Sequence, residues 1–117
     1  MEEAKVDWKQ FVKDAENELA VYAKALPETM KGFGTMSGPV KRDGALDSKT
    51  KELIALAIGI RSQCNHCIGY HARTLVRLRA DREEVVEVLA ICAYMAGGPG
   101  INYGANALQA FDQFSQK

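Results

Sequence analysis

The hydrophobic positions of this chain recur at steps of three and four, the spacing of an α-helix rather than a strand. The first such segment covers about residues 5–25, with charged residues on its opposite face; its apolar positions are Trp8, Phe11, Val12, Ala15, Leu19, Tyr22 and Ala23. Pro27 begins a break. We expect a short helical piece at "ETMKGF" (residues 28–33) and a glycine- and proline-rich connection at "GTMSGPVKRDGA" (residues 34–45).

Three more helices follow before the C-terminal one. "LDSKTKELIALAIGI" (residues 46–60) predicts a helix capped by Asp47 or Ser48. After the turn "RSQ" a helix starts at about residue 64, and the next opens with Asp81 and Glu84 in the spacing of a capping box. "GGPG" (residues 97–100) ends that helix, and a last one carries Ala107, Leu108, Phe111 and Phe114. Since no segment alternates convincingly with period two, the sequence predicts an all-α, compact single-domain bundle of about six helices.

The composition of the chain argues against several classes of partner and location. With 117 residues the chain is long enough for one domain. Its 15 basic and 15 acidic residues cancel and form no block, which argues against a nucleic-acid or an anionic membrane surface as partner. The N-terminus is acidic and lacks the features of a signal peptide. The longest apolar run, residues 53–60, is too short for a membrane span of roughly 20 residues. We therefore expect a cytoplasmic protein.

Two of the predicted helices, residues 53–60 and 85–96, are apolar on more than one face. A domain of this size has little interior in which to bury both faces of two helices. The sequence therefore predicts self-association.

The stretch "SQCNHCIGYHART" (residues 62–74) concentrates two of the three cysteines and both histidines. Cys64 and Cys67 are three residues apart, so on a helix they lie about 5–6 Å from each other, within reach of a disulfide. At a helix start the dipole favours thiolate over thiol. His71, four residues after Cys67, stacks over it. This pattern is typical of a reversible dithiol site.

Other interpretations of these residues remain open. Cys64, Cys67 and His71 could supply three zinc ligands, but no second CxxC or HxxxH provides more, and we interpret Cys92 as a small core residue. His66 projects about 100° away from Cys67, so it either lines another side of the site or faces a neighbour, unless it is simply an exposed residue of the first turn. The two thiols could also be incidental.

Together with Glu52, these residues form the pattern E-x11-C-x2-C-x3-H, with His66 in C-x-H-C. This pattern and its surroundings resemble the alkylhydroperoxidase AhpD-like proteins of the carboxymuconolactone decarboxylase superfamily, over about residues 20–115. The resemblance implies an all-helical fold that forms trimers or hexamers, with active sites near subunit contacts, and that reduces organic hydroperoxides through the dithiol. We expect no metal or other cofactor. The resemblance also implies a proton relay of Glu52, His71 and a water. The position of Glu52 alone, without the resemblance, favours an ordinary solvated residue in the first turn of a helix.

The resemblance further implies that Cys64 and Cys67 cycle between dithiol and disulfide, Cys67 being attacked by the peroxide and Cys64 resolving the product. Geometry alone leaves this order open, because in thioredoxin-like sites the first cysteine is usually the nucleophile. A dithiol donor of lipoyl or thioredoxin type would reset the site.

Two alternatives belong to other classes of protein. One is a lyase of the carboxymuconolactone decarboxylase type, although true decarboxylases lack the CxxC and their reaction needs no dithiol. The other is a non-catalytic module whose thiols hold zinc or register oxidant.

Overall fold

The structure, a computed structural model, describes residues 6–116 and contains five helices in that range. They are α1 (Trp8–Ala25), α2 (Pro27–Lys41), α3 (Ser48–Arg61), α4 (Asn65–Arg77) and α5 (Arg82–Ser115). No strand occurs among the described residues, so the all-α prediction is confirmed.

The difference from the predicted six helices lies in α5. Its two parts are the two helices expected on either side of "GGPG", joined at Gly97, whose φ of 64° and ψ of −143° are not helical. Glycine adopts this left-handed φ at little cost because it has no β-carbon. Pro99 falls in the first turn of the second part, where its missing N–H breaks no essential hydrogen bond. The sequence thus produces a kink instead of a loop.

α2 corrects a second expectation. The helix runs from Pro27 to Lys41 and includes most of the segment predicted as a connection. Pro27 occupies the first turn, where its fixed φ suits a helix. Inside it, however, are three glycines, each about 1 kcal/mol less favourable than alanine, and Pro39, about 3 kcal/mol less favourable. None of the α2 residues is buried in the chain, so intramolecular packing offsets little of this cost.

The core is formed by α3, α4, α5 and the N-terminal half of α1. Its largest fully buried side chains include Trp8, Leu56, Ile60, Ile68 and Leu75. Trp8 fixes α1 to the end of α5: its indole N–H donates to Gln109 Oε1 at 2.9 Å and its backbone N–H donates to Gln113 Oε1 at 2.7 Å.

The second half of α1 leaves this core. Leu19 and Tyr22, predicted on the buried face, are 41% and 45% exposed, while Trp8, Val12 and Ala15 are buried as expected. The second half of α1 and all of α2 therefore lie outside the buried core.

By length and composition α5 could also cross a membrane. This indication is weak, because the core helix of a globular protein passes the same test. Here Val85, Cys92, Ala107 and Phe111 of α5 belong to the hydrophobic core.

Candidate active site

The two cysteines lie where α3 ends and α4 begins. α3 terminates in a Schellman arrangement: the N–H of Gln63 donates to the carbonyl of Ile60 at 3.1 Å and the N–H of Cys64 donates to that of Gly59 at 3.0 Å. Gln63 has the left-handed φ of 57° that this turn requires, a conformation usually left to glycine. Cys64 is therefore the last residue bonded to α3, and it is also the N-cap of α4.

Cys64 and Cys67 form a disulfide, with their Cα atoms 5.3 Å apart. The N–H of Cys67 donates to Sγ of Cys64 at 3.2 Å, so the Cys64 sulfur satisfies one of the free amides at the start of α4. Both cysteines therefore occupy the first turn, as the sequence predicts. The positive end of the helix favours a thiolate at this place once the bond is reduced.

Glu52 and His71 come together from α3 and α4. Nδ1 of His71 lies 2.6 Å from Oε2 of Glu52, and the side chains are 9% and 27% exposed, Glu52 being the more buried. Glu52 is the only charged residue in the buried core of the described chain. The interpretation of Glu52 as a solvated residue is therefore wrong. When the Glu52 carboxylate accepts a hydrogen bond from Nδ1–H of His71, the other ring nitrogen, Nε2, is the one that can take up a proton.

His66 lies on another side. Its ring packs against Phe11 of α1 at a centroid distance of 5.0 Å, and its Nε2 is 3.9 Å from Oε2 of Glu18. The side chain is 53% exposed. His66 is therefore half-exposed and faces α1, and no contact joins it to the Glu52–His71 pair among the described residues.

Gly59 is a site residue that the sequence interpretation missed. A β-carbon at this position would lie 3.1 Å from Cβ of Cys67, closer than side chains ordinarily approach. The missing side chain thus allows α3 to pack directly against the second cysteine. An isolated glycine inside the apolar run "LIALAIGI" was the available signal.

Asn65 and Asn106 were also missed. Nδ2 of Asn106 donates to Oδ1 of Asn65 at 3.2 Å, which ties the residue after Cys64 to α5. Nothing local in the sequence indicates this pair, since 41 residues separate the two amides.

Cys92, the remaining cysteine, is buried on α5 as expected, and burial raises the pKa of its thiol. Within residues 6–116 no three His, Cys, Asp or Glu side chains converge closely enough to hold a metal ion. The zinc alternative therefore has no ligand set in the described part of the chain.

Comparison with known proteins agrees with this architecture. The profile of the Carboxymuconolactone decarboxylase family matches residues 27–110. The fold is similar to that of a carboxymuconolactone decarboxylase family protein of Legionella pneumophila, with a TM-score of 0.90 and 48% identity over 93% of this chain and 97% of that one.

Two further relatives extend the comparison. A family protein of Thermotoga maritima, for which a part in an antioxidative response has been suggested, has a TM-score of 0.76 and 31% identity over 86% of each chain. An uncharacterised protein of Cupriavidus necator is 36% identical over 91% of this chain and 94% of its own length.

Proposed function

The chain belongs to the carboxymuconolactone decarboxylase family, and from its Cys64–Cys67 disulfide we propose that it is a thiol–disulfide oxidoreductase that reduces alkyl hydroperoxides. The observation that carries the proposal is the position of this disulfide at the start of α4, one helical turn before His71, whose imidazole lies 2.6 Å from the buried carboxylate of Glu52 on α3. A lyase would have no use for the dithiol.

The reaction begins with reduced protein. A thiolate, Cys67 in the assignment taken from AhpD-like proteins, attacks the outer oxygen of the hydroperoxide. The O–O bond breaks, the sulfur becomes a sulfenic acid, and the alkoxide leaves as an alcohol after taking up one proton. Cys64 then attacks the sulfenic sulfur. The S–S bond forms and the hydroxyl leaves as water with a second proton.

We assign these proton transfers to His71 and Glu52. With Nδ1–H held by the Glu52 carboxylate, Nε2 of His71 can accept the thiol proton of Cys67, one helical turn earlier, and return it to the leaving oxygen. Glu52 stabilises the imidazolium formed in between. Its burial strengthens this interaction, since little water screens the pair.

A dithiol donor of lipoyl or thioredoxin type completes the cycle by exchange. One donor thiolate attacks the disulfide, the second displaces the mixed disulfide, and the protein recovers two thiols. Such cycling needs a reducing compartment, so the cytoplasm remains the predicted location.

The test is intact mass spectrometry of the reduced protein before and after one equivalent of cumene hydroperoxide. We expect a loss of two hydrogens, a peptide map that joins Cys64 to Cys67, and one equivalent of cumyl alcohol. Cys92→Ser should behave identically, and Cys64→Ser/Cys67→Ser should consume no peroxide.

The single variants determine the order of attack. If Cys67 reacts first, Cys64→Ser accumulates a sulfenic acid that dimedone traps, and Cys67→Ser does not. Reduced thioredoxin and dihydrolipoamide are then offered to the oxidised protein to identify the class of donor. Three thiols that persist in wild-type protein after peroxide would refute the proposed function.

A further inference from the structure

The C-terminal part of α5 presents three side-chain amides on one face. Asn106, Gln109 and Gln113 are spaced at i, i+3 and i+7, which places them along the same side of the helix. Gln109 and Gln113 accept hydrogen bonds from Trp8, the first residue of α1. Asn106 instead reaches α4, where its Nδ2 donates to Oδ1 of Asn65 at 3.2 Å. This face of α5 therefore holds the first residues of two other helices.

Asn65 lies in the CxxC segment, directly after Cys64, and is the first residue of α4. Within residues 6–116, its bond to Asn106 is the only side-chain hydrogen bond that joins the segment 64–67 to another helix. Both amides are partly buried, so water competes for them less than at an exposed site. The bond spans 41 residues of sequence and depends on the packing of α4 against α5. It therefore ties the CxxC segment to the body of the bundle.

The two ends of this segment are fixed by other contacts. The N–H of Cys64 donates to the carbonyl of Gly59 at 3.0 Å, and Ile68 is fully buried in the core. Residues 65–67 lie between these points. In the oxidised protein the disulfide closes them into one helical turn, in which the N–H of Ile68 donates to the carbonyl of Cys64 at 2.9 Å. Once the S–S bond is reduced, the end of a helix opens at little cost in free energy, and the bond to α5 is the restraint from another helix that remains.

We propose that Asn106 is a positioning residue of the dithiol site. By holding Asn65 it keeps the first turn of α4 closed after reduction, and so it favours re-formation of the disulfide. This inference rests on the proposed function, since it concerns the cycle between dithiol and disulfide. A turn that stays closed presents one sulfur to the other at a high effective concentration. A turn that opens adds conformational entropy to the dithiol state alone, which makes the disulfide easier to reduce.

The size of the effect follows from thermodynamic linkage. In Asn106→Ala the oxidised protein loses the whole contribution of the hydrogen bond, because the disulfide keeps the turn closed. The reduced protein loses only a part, because its turn can open instead. One hydrogen bond changes an equilibrium by about 2- to 10-fold. We therefore expect the equilibrium constant for disulfide formation to fall about threefold, which makes the reduction potential about 14 mV less negative.

The test measures the equilibrium of the protein with glutathione, in which the protein dithiol and one glutathione disulfide exchange for the protein disulfide and two glutathione thiols. Samples at fixed glutathione ratios are quenched with acid, alkylated and analysed by intact mass spectrometry. Gln109→Ala is the matched control, because it removes an amide from the same face of α5 whose partner is Trp8 instead of the CxxC segment. It should lower the free energy of unfolding, and its constant should stay within about 1.5-fold of wild type, less than one hydrogen bond contributes.

Asn65→Ala removes the other partner of the bond and gives a second route to the same result. In the Asn65→Ala background, Asn106→Ala should cause no further shift, because both changes break one hydrogen bond. Hydrogen exchange followed by NMR reports the turn directly. In reduced protein the Ile68 amide should be about threefold less protected in Asn106→Ala than in wild type, and the two oxidised proteins should be alike.

An unchanged constant in Asn106→Ala would refute the inference. A shift of the same size in Gln109→Ala, or an additive shift in the double variant, would refute it as well. The glutathione equilibrium contains no peroxide, so its result does not depend on whether the reduced protein consumes cumene hydroperoxide. A shifted constant in a protein that reduces no peroxide would overturn the proposed function and leave Asn106 as a positioning residue of the dithiol.

Discussion

Gly59 and Cys67 approach each other so closely that a β-carbon on Gly59 would lie 3.1 Å from Cβ of Cys67. The contact joins α3 to the first turn of α4 at Cys67, the residue to which we assign the attack on the peroxide. α3 therefore helps to set the position of the second cysteine.

Gly59→Ala should shift Cys67 by a few tenths of an ångström and slow disulfide formation with cumene hydroperoxide. The matched control is Gly104→Ala on α5, where the new β-carbon would make an ordinary contact, 3.7 Å from Leu89 Cδ2. That variant should gain up to about 1 kcal/mol in unfolding free energy from helix propensity, while Gly59→Ala gains less or loses. Chemical denaturation and stopped-flow kinetics measure the two effects. Equal kinetics in both variants would show that Gly59 does not position Cys67.

Glu52→Gln should lower the rate of peroxide-driven disulfide formation about 100-fold, since the amide keeps a hydrogen-bonding group beside His71 but cannot stabilise its charged form. Single-turnover kinetics followed by thiol titration measure this rate. The control is Glu84→Gln, which removes a partly exposed carboxylate 2.9 Å from Lys49 Nζ. An unchanged rate in Glu52→Gln would remove Glu52 and His71 from the proposed proton transfer.

Cys92 should react more slowly with thiol reagents than the other two cysteines. Burial raises the pKa of its thiol, so at pH 8 a smaller fraction is thiolate than for an ordinary cysteine. Reduced protein should therefore react with Ellman's reagent in two fast equivalents and one slow equivalent. The slow rate should increase as the pH rises toward the raised pKa of Cys92. Cys92→Ser should remove the slow phase alone, and three equivalents of equal rate would contradict the assignment.

Gln63 and Arg79 offer a paired test of backbone strain. Both have left-handed φ values, 57° and 59°, at equivalent positions of the turns that end α3 and α4. Gln63→Gly and Arg79→Gly should each raise the unfolding free energy by about 0.5–1 kcal/mol, because glycine adopts this φ without steric cost. Urea denaturation of the oxidised protein measures both. A loss of stability in Gln63→Gly alone would mean that its side chain supports the CxxC turn in a way that the backbone does not reveal.

The sequence predicts the all-α fold class and the place of the two cysteines at a helix start well, because both depend on interactions between residues close in sequence. Residues 46–60 carry an N-cap and an apolar helical run, and residues 64–80 carry the CxxC and an apolar stripe. Each of these signals depends only on residues a few positions apart. The helix start at Asn65 and the Cys64 N-cap follow from the same short-range rules. Failures occurred where the physical cause is non-local. The burial of Glu52 depends on a histidine 19 residues away, and the helical state of residues 34–41 contradicts their own propensity.

The turn between α3 and α4 has a consequence for the energy of the proposed redox cycle. Its two defining bonds, from Gln63 to Ile60 and from Cys64 to Gly59, join main-chain atoms and involve neither sulfur. Reduction of the disulfide therefore leaves them in place, and the backbone that presents Cys64 needs no rearrangement between the two oxidation states. The proposed cycle would therefore change the bonding of the two sulfurs, including the Cys67 N–H that Cys64 Sγ accepts, while the main-chain bonds of the turn persist.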